Sequence, residues 1–279
     1  SLSLAATVHC GDAAVAPTDD AAVDAADPDA PTSDPDAAAL CPPSSPIYFM
    51  TDGSAFFSFD PTTFEIVHLP IVCGSSLFED DVPFAVAHDA TAWYVDEPST
   101  GDKTFWYPVS LLGSTCPNQE AFTVPISAGL FSAAYVSNAP GSPDETLYVS
   151  RVPSGGGSFL SALDAKGQLA AVGSLDRAYT LAGTADGRLF GLGHVGTDAT
   201  SNLVEIARGS GATTTLATPS IAGDLAYARG QLFAFTIVAG SGSGETDVYA
   251  FDPKTYAAKK VAHIPYYVSH VATSTCAAP

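Results

Sequence analysis

Basic residues are scarce in this chain. Ten Lys and Arg face 30 Asp and Glu across 279 residues, a net charge of −20. Nucleic acid is therefore excluded as a natural partner, because phosphate binding needs clustered Lys and Arg. No run of 18 apolar residues exists, so no segment is expected to cross a membrane as a helix. No sustained 3.6-residue apolar period is present either, which argues against a helical domain. The sequence holds no Walker lysine, no D-x-[DN]-x-[DN]-G calcium loop and no C-x-x-C pair. Phosphate cradles, integrin-type metal loops, zinc ribbons and thioredoxin-type sites lose their support. No cofactor and no metal are expected.

Turn-formers and apolar residues are abundant. Gly numbers 24, Pro 21, and 46% of residues are hydrophobic, enough for a sizeable core in a chain that turns often. The first forty residues differ from the rest. They hold no Lys or Arg and eight Asp: Asp12, Asp19, Asp20, Asp24, Asp27, Asp29, Asp34 and Asp36. Such a segment buries too little apolar area to offset its ordering entropy, so 11–40 is expected to be a disordered acidic tether. Without those eight acids, 22 acidic and 10 basic residues remain in 41–279, a net charge of −12.

Ahead of the tether stands Ser1-Leu-Ser-Leu-Ala-Ala-Thr-Val-His-Cys10-Gly-Asp12. A short apolar stretch ending in Cys-Gly-Asp resembles the tail of a bacterial lipoprotein signal peptide, and that resemblance implies a lipid on Cys10. His9 departs from the small residue such signals carry before the cysteine. The alternative is the remnant of an ordinary secretion signal. Either way 1–10 is expected to be a leader remnant and the protein to be exported, at the cell surface, in the periplasm or secreted. A membrane contact would then run only through the lipid.

Setting Cys10 aside leaves Cys41, Cys73, Cys116 and Cys276, an even number. Two disulfides in an oxidising compartment fit that arithmetic. Cys41 opens the folded region and Cys276 nearly ends it, which makes a staple across the termini. Cys73 with Cys116 follows by elimination.

Short runs rich in Val, Ile, Leu, Phe, Tyr and Thr, bounded by Gly, Pro, Asp and Asn, read as strands. One small-residue strand recurs four times: Phe84-Ala-Val-Ala, Phe131-Ser-Ala-Ala-Tyr, Tyr179-Thr-Leu-Ala-Gly and Asp224-Leu-Ala-Tyr. Small side chains suit strands converging on an axis. A bulkier strand follows each, at Trp93, Leu147, Leu189 and Leu232, with tight turns at Asp186-Gly187 and Arg229-Gly230. Equivalent strands recur every 44–48 residues, the period of a four-stranded propeller blade. The first unit begins at Pro46-Ile-Tyr-Phe-Met-Thr51 without its inner strand. Val268-Ser-His-Val-Ala-Thr-Ser-Thr275 supplies the missing piece. The expectation is an all-β, five-bladed propeller over 41–279, closed by its C-terminal strand so that no sheet edge stays open. A monomer is expected.

Phe84-Ala-Val-Ala-His-Asp-Ala-Thr-Ala-Trp93, Asp144-Glu-Thr-Leu-Tyr-Val149, Gly183-Thr-Ala-Asp-Gly-Arg-Leu-Phe-Gly191 and the ending Ser274-Thr-Cys-Ala-Ala-Pro279 resemble a family of secreted propeller-like lipoproteins from myxobacteria. That resemblance covers 41–279. It implies fold and compartment, and transfers no catalytic residue.

Five residues are candidates for a site at the central channel: His88, Asp89, His194, Asp224 and His270. Histidines converging there would hold a metal or act as acid and base; scattered, satisfied surface histidines are the competing account. Asp224, at an inner-strand start, and Asp89 are the acids that a glycan-cleaving site would use. Asp80-Asp81 and Asp96-Glu97 read as solvated turns. Gly240-Ser-Gly-Ser-Gly244 has the letters of a nucleophile elbow, yet no helix follows it. Trp93, Tyr94, Phe105, Trp106 and Tyr107 concentrate aromatics in the second unit, either to stack on sugar rings or to pack between blades. These features point to a non-enzymatic cell-envelope or secreted propeller binding a protein or a glycan. A glycan-active hydrolase or lyase is the alternative, and a purely structural surface protein the third reading.

Overall fold

The fold was analysed in a computed structural model. It describes residues 46–51, 55–71, 83–96, 103–113, 116, 121–125, 129–153, 155–194, 201–238 and 244–276. Cys10, the tether, Cys41, Cys73, Asp80, Asp81, Glu97 and Ser241–Ser243 lie outside them. Contacts divide the chain into Ser1–Asp34 and Pro35–Pro279, and all of the described residues belong to the second unit.

Every regular element among the described residues is a strand. The first three are β1 (Ile47–Thr51), β2 (Phe56–Phe59) and β3 (Ile66–His68). Then come β4 (Phe84–Val86), β5 (Thr91–Asp96), β6 (Lys103–Ser110) and β7 (Phe122–Pro125). The third set is β8 (Leu130–Ser137), β9 (Glu145–Arg151), β10 (Ser158–Leu163) and β11 (Leu169–Leu175). The fourth is β12 (Thr180–Gly183), β13 (Leu189–His194), β14 (Ser201–Ile206) and β15 (Thr213–Ala217). Last are β16 (Asp224–Ala228), β17 (Gln231–Ile237), β18 (Thr246–Phe251), β19 (Ala258–Ile264) and β20 (Val268–Ala272).

They form five antiparallel four-stranded sheets, arranged as a five-bladed β-propeller. Four blades are consecutive in sequence. The remaining sheet has the order β20-β1-β2-β3, so the tail completes the blade that the head begins. Tyr48 pairs with Ala272 and Met50 with His270. Phe49 stacks on Phe57 at 5.1 Å and meets Phe235 of the preceding blade at 6.5 Å, which fills that seam.

The core lies between blades. Five apolar clusters each join two neighbouring sheets around the ring. Trp106, Tyr94, Phe49, Phe59 and Phe190 are essentially fully buried there. Each large apolar side chain removed from water contributes about 1.5–3 kcal/mol. Tyr94 and Trp106 thus belong to inter-blade packing, as the second reading of the aromatic group expected.

The inner strands β20, β4, β8, β12 and β16 contact one another in that circular order. Their small residues follow from crowding at the axis. A Cβ on Gly183 would stand 1.8 Å from the Tyr135 carbonyl oxygen of the neighbouring inner strand. Side chains bridge these strands where no ladder runs. Ser132 Oγ accepts the Leu181 N–H at 2.9 Å, and Asp224 accepts the Val271 N–H at 3.2 Å.

Candidate functional site

All five inner strands run the same way along the axis, so the ring has two unlike mouths. Leu130, Thr180, Asp224 and Val268, the first residues of four inner strands, line one cavity of about 540 Å³. This entry mouth lies within the usual size range of ligand pockets, about 300–1,000 Å³.

Asp224 and His270 sit on its floor. His270 Nδ1 lies 3.4 Å from Asp224 Oδ2, with the two side chains 14% and 23% exposed. His270 Nε2 is buried and has no hydrogen-bond partner among the described residues. The Thr180 hydroxyl lies 3.0 Å from the Gly223 carbonyl and 3.1 Å from that of Leu192. Gly223 is obligatory for this turn: a Cβ there would meet the Phe235 carbonyl oxygen at 1.9 Å. The rim is apolar and open. Phe131, Val152 and Ile237 line the cavity and are 40%, 42% and 46% exposed. Tyr266, 43% exposed, is the chain neighbour of the lining residue Tyr267.

The exit mouth, where inner strands end, is laced by hydrogen bonds. Glu145 Oε1 accepts the His88 N–H, and Oε2 accepts the Thr275 hydroxyl, each at 2.7 Å. The Ser274 hydroxyl donates to the His88 carbonyl at 3.1 Å, and Cys276 Sγ lies 3.6 Å from His88 Nε2. Burial pushes the Glu145 carboxyl up to about 7, with Asp89 adding like-charge repulsion against the two hydrogen bonds that favour the charged form. Cys276 and Cys116 are both disulfide-bonded. Their partners are not among the described residues.

The five sequence candidates therefore divide. Asp224 and His270 meet at the entry mouth. His88 and Asp89 form the turn after β4 at the exit mouth, and Asp89 accepts the Thr91 N–H at 2.9 Å. His194 ends β13 on the entry side, opposite Ser201; its side chain lies outside the description. Among the described residues no group of three or more His, Cys, Asp or Glu could hold a metal ion. Glycoside cleavage needs two carboxyls about 5–9.5 Å apart around one bond. Asp224 and Asp89 lie at opposite ends of inner strands, and five residues of strand span about 13 Å. They do not form such a pair.

No family model and no curated protein sequence matches this chain. Solved structures do, by shape. The chain resembles a chain of the nidogen/laminin complex with TM-score 0.51 and 9% identity, over 84% of this chain and 100% of that one. It resembles TolB from Acinetobacter baumannii with TM-score 0.47 and 11% identity, over 80% of this chain and 52% of that one. Exo-β-1,3-galactanase from Phanerochaete chrysosporium matches with TM-score 0.48 and 10% identity, over 77% of this chain and 53% of that one. The chain thus spans about half the length of the TolB and galactanase chains. At such identities the likeness is one of fold.

Sequence reasoning missed Glu145 and the apolar rim. Glu145 opens a second strand, a place that signals nothing until the tail carrying Thr275 is traced beside it. The rim had a weak signal in Phe131, a large ring heading a small-residue strand.

Proposed function

We propose that this propeller is a non-enzymatic, exported binding protein that seats a basic segment of a protein partner in its entry mouth. The observation that carries the reading is the 540 Å³ funnel with an open apolar rim over the Asp224–His270 pair. An apolar rim gives contact area, and a carboxylate floor gives orientation to a cationic side chain. The net charge of −12 over 41–279 would steer a basic partner toward the ring. A chain of this shape occurs in the nidogen/laminin complex, a setting in keeping with a binding role. Disulfides at Cys116 and Cys276 fit an oxidising compartment. In the same reading Cys10 carries a lipid, Cys276 pairs with Cys41, and Cys116 pairs with Cys73. The resemblance to secreted myxobacterial lipoproteins supports this arrangement.

A photoreactive residue placed at Ile237 of the full chain in its native envelope tests the reading. A discrete protein adduct is expected, absent when the probe sits at Leu112, which is exposed beside the exit mouth, and lost with Asp224→Asn. No adduct, identical adducts from both positions, or reproducible turnover of a substrate would overturn it.

A further inference from the structure

A second cavity lies away from the funnel. It occupies about 500 Å³ between the second and third blades and is lined in part by Trp93, Phe122, Tyr135, Glu145, Asp164 and Gln168. Its aromatic wall comes from one face of the second blade. Phe122 stacks on Trp93 at 5.5 Å and on Trp106 at 5.6 Å, with interplanar angles near 25°. Trp106 is fully buried, whereas Trp93 is only half-buried and faces the cavity. The rest of the lining comes from the third blade, where Asp164 and Gln168 of the 164–168 turn and Glu145 stand among Ala and Leu side chains. Asp164 Oδ1 accepts the N–H groups of Lys166 and Gln168 and thereby fixes that turn. The turn rests directly on the second blade, since a Cβ on Gly167 would stand 2.8 Å from the Phe122 ring and from the Thr123 carbonyl oxygen.

We infer that this inter-blade cleft binds a neutral saccharide, with Trp93 as the stacking surface and Gln168, Asp164 and Glu145 as partners for its hydroxyls. A sugar ring has an apolar C–H face and a polar edge, which matches an aromatic and aliphatic lining that carries a few carboxyl, hydroxyl and amide groups. None of the lining residues is Lys or Arg, and the chain carries 30 acids, so an acidic saccharide is disfavoured. The Glu145 carboxyl, raised to about 7 chiefly by burial, can donate as well as accept near neutral pH. The site is independent of the funnel and survives if the protein-binding proposal fails.

The full chain would be screened against immobilised neutral oligosaccharides: β-1,3-glucans, β-1,4-glucans, xylans and mannans. Hits would then be titrated by tryptophan fluorescence. The protein has two Trp, and Trp106 is buried, so a ligand-induced change reports on Trp93. Binding is expected, weakened about tenfold by Trp93→Ala, less by Trp93→Phe, and unchanged by Asp224→Asn. If Trp93→Ala does not fold, exposed Gln168→Ala takes its place, with a several-fold loss expected. No binding to any of these glycans, binding indifferent to both Trp93 and Gln168, or binding lost with Asp224→Asn would overturn the inference.

Discussion

The two mouths of the ring are built from the same five strands and behave as opposites. At the exit mouth Glu145, His88, Ser274 and Thr275 tie the tail to the second and third blades. At the entry mouth the closing strand is held to the preceding blade by Asp224, which accepts the Val271 N–H and lies beside His270, and by the Thr246 hydroxyl, which accepts the Val268 N–H at 3.0 Å, beneath an open funnel with an apolar rim. A closed ring must hold its last strand somewhere. The tail is tied at both ends, by Asp224 and Thr246 at the entry and by Glu145, His88 and the Cys276 disulfide at the exit, but only the entry end adds an exposed apolar rim of Phe131, Val152 and Ile237 that packing has not used.

The largest test of that contrast removes the fastening. Cys276 is buried and disulfide-bonded at the exit mouth. Losing a native disulfide costs about 2–5 kcal/mol. Cys276→Ser is expected to lower stability to urea by that order and to raise hydrogen exchange in β20 and β1 ahead of β8 to β15. Uniform loss of protection across all five blades would mean that the tail is not the weak joint.

A second test uses pH. The folded pKa of Glu145 is raised to about 7 from the ordinary 4.5, chiefly by burial. Between those values the folded protein binds more protons than the unfolded one, so stability falls as pH rises through the window and is flat above it. The shift corresponds to about 3 kcal/mol as an upper figure. Glu145→Gln keeps a carbonyl for the His88 N–H and can donate to the Thr275 hydroxyl. Its unfolding free energy is expected to lack most of the fall between pH 4.5 and 7 that the parent shows. A matching fall in both proteins would place the pH response elsewhere.

Much of this architecture was legible in the chain. A blade repeats its turn signals and its small inner strand, so the period is visible, and a head lacking an inner strand beside a tail with one spare implies closure. Gly183 shows why the signal is strong, since crowding at the axis forbids any side chain there. The candidate site was legible only in part. Asp224 stands out at a strand start, and its partnership with His270 follows from closure. His88 and Asp89 were grouped with them although they follow the end of β4, because the reading counted residues near the axis without separating its two ends. Glu145 could not be found that way, since Thr275 and His88 reach it from 130 and 57 positions away.

The smallest expected effect on folding is at the rim, where the contrast between the mouths is sharpest. Ile237 is 46% exposed at the end of β17. Ile237→Thr keeps the β-branch that suits a strand, so stability is expected to change by less than about 0.5 kcal/mol. Affinity for the protein cross-linked from that position is expected to fall about fivefold, the order lost with about 1 kcal/mol of buried apolar contact. Leu112→Thr, on an apolar residue still more exposed at 70%, whose turn is tied through Leu111 N–H to the Ala90 carbonyl beside the exit mouth, is expected to leave that affinity unchanged. Equal losses from the two substitutions would show that binding follows general surface hydrophobicity. A loss confined to Ile237 would tie it to the mouth that the ring leaves open.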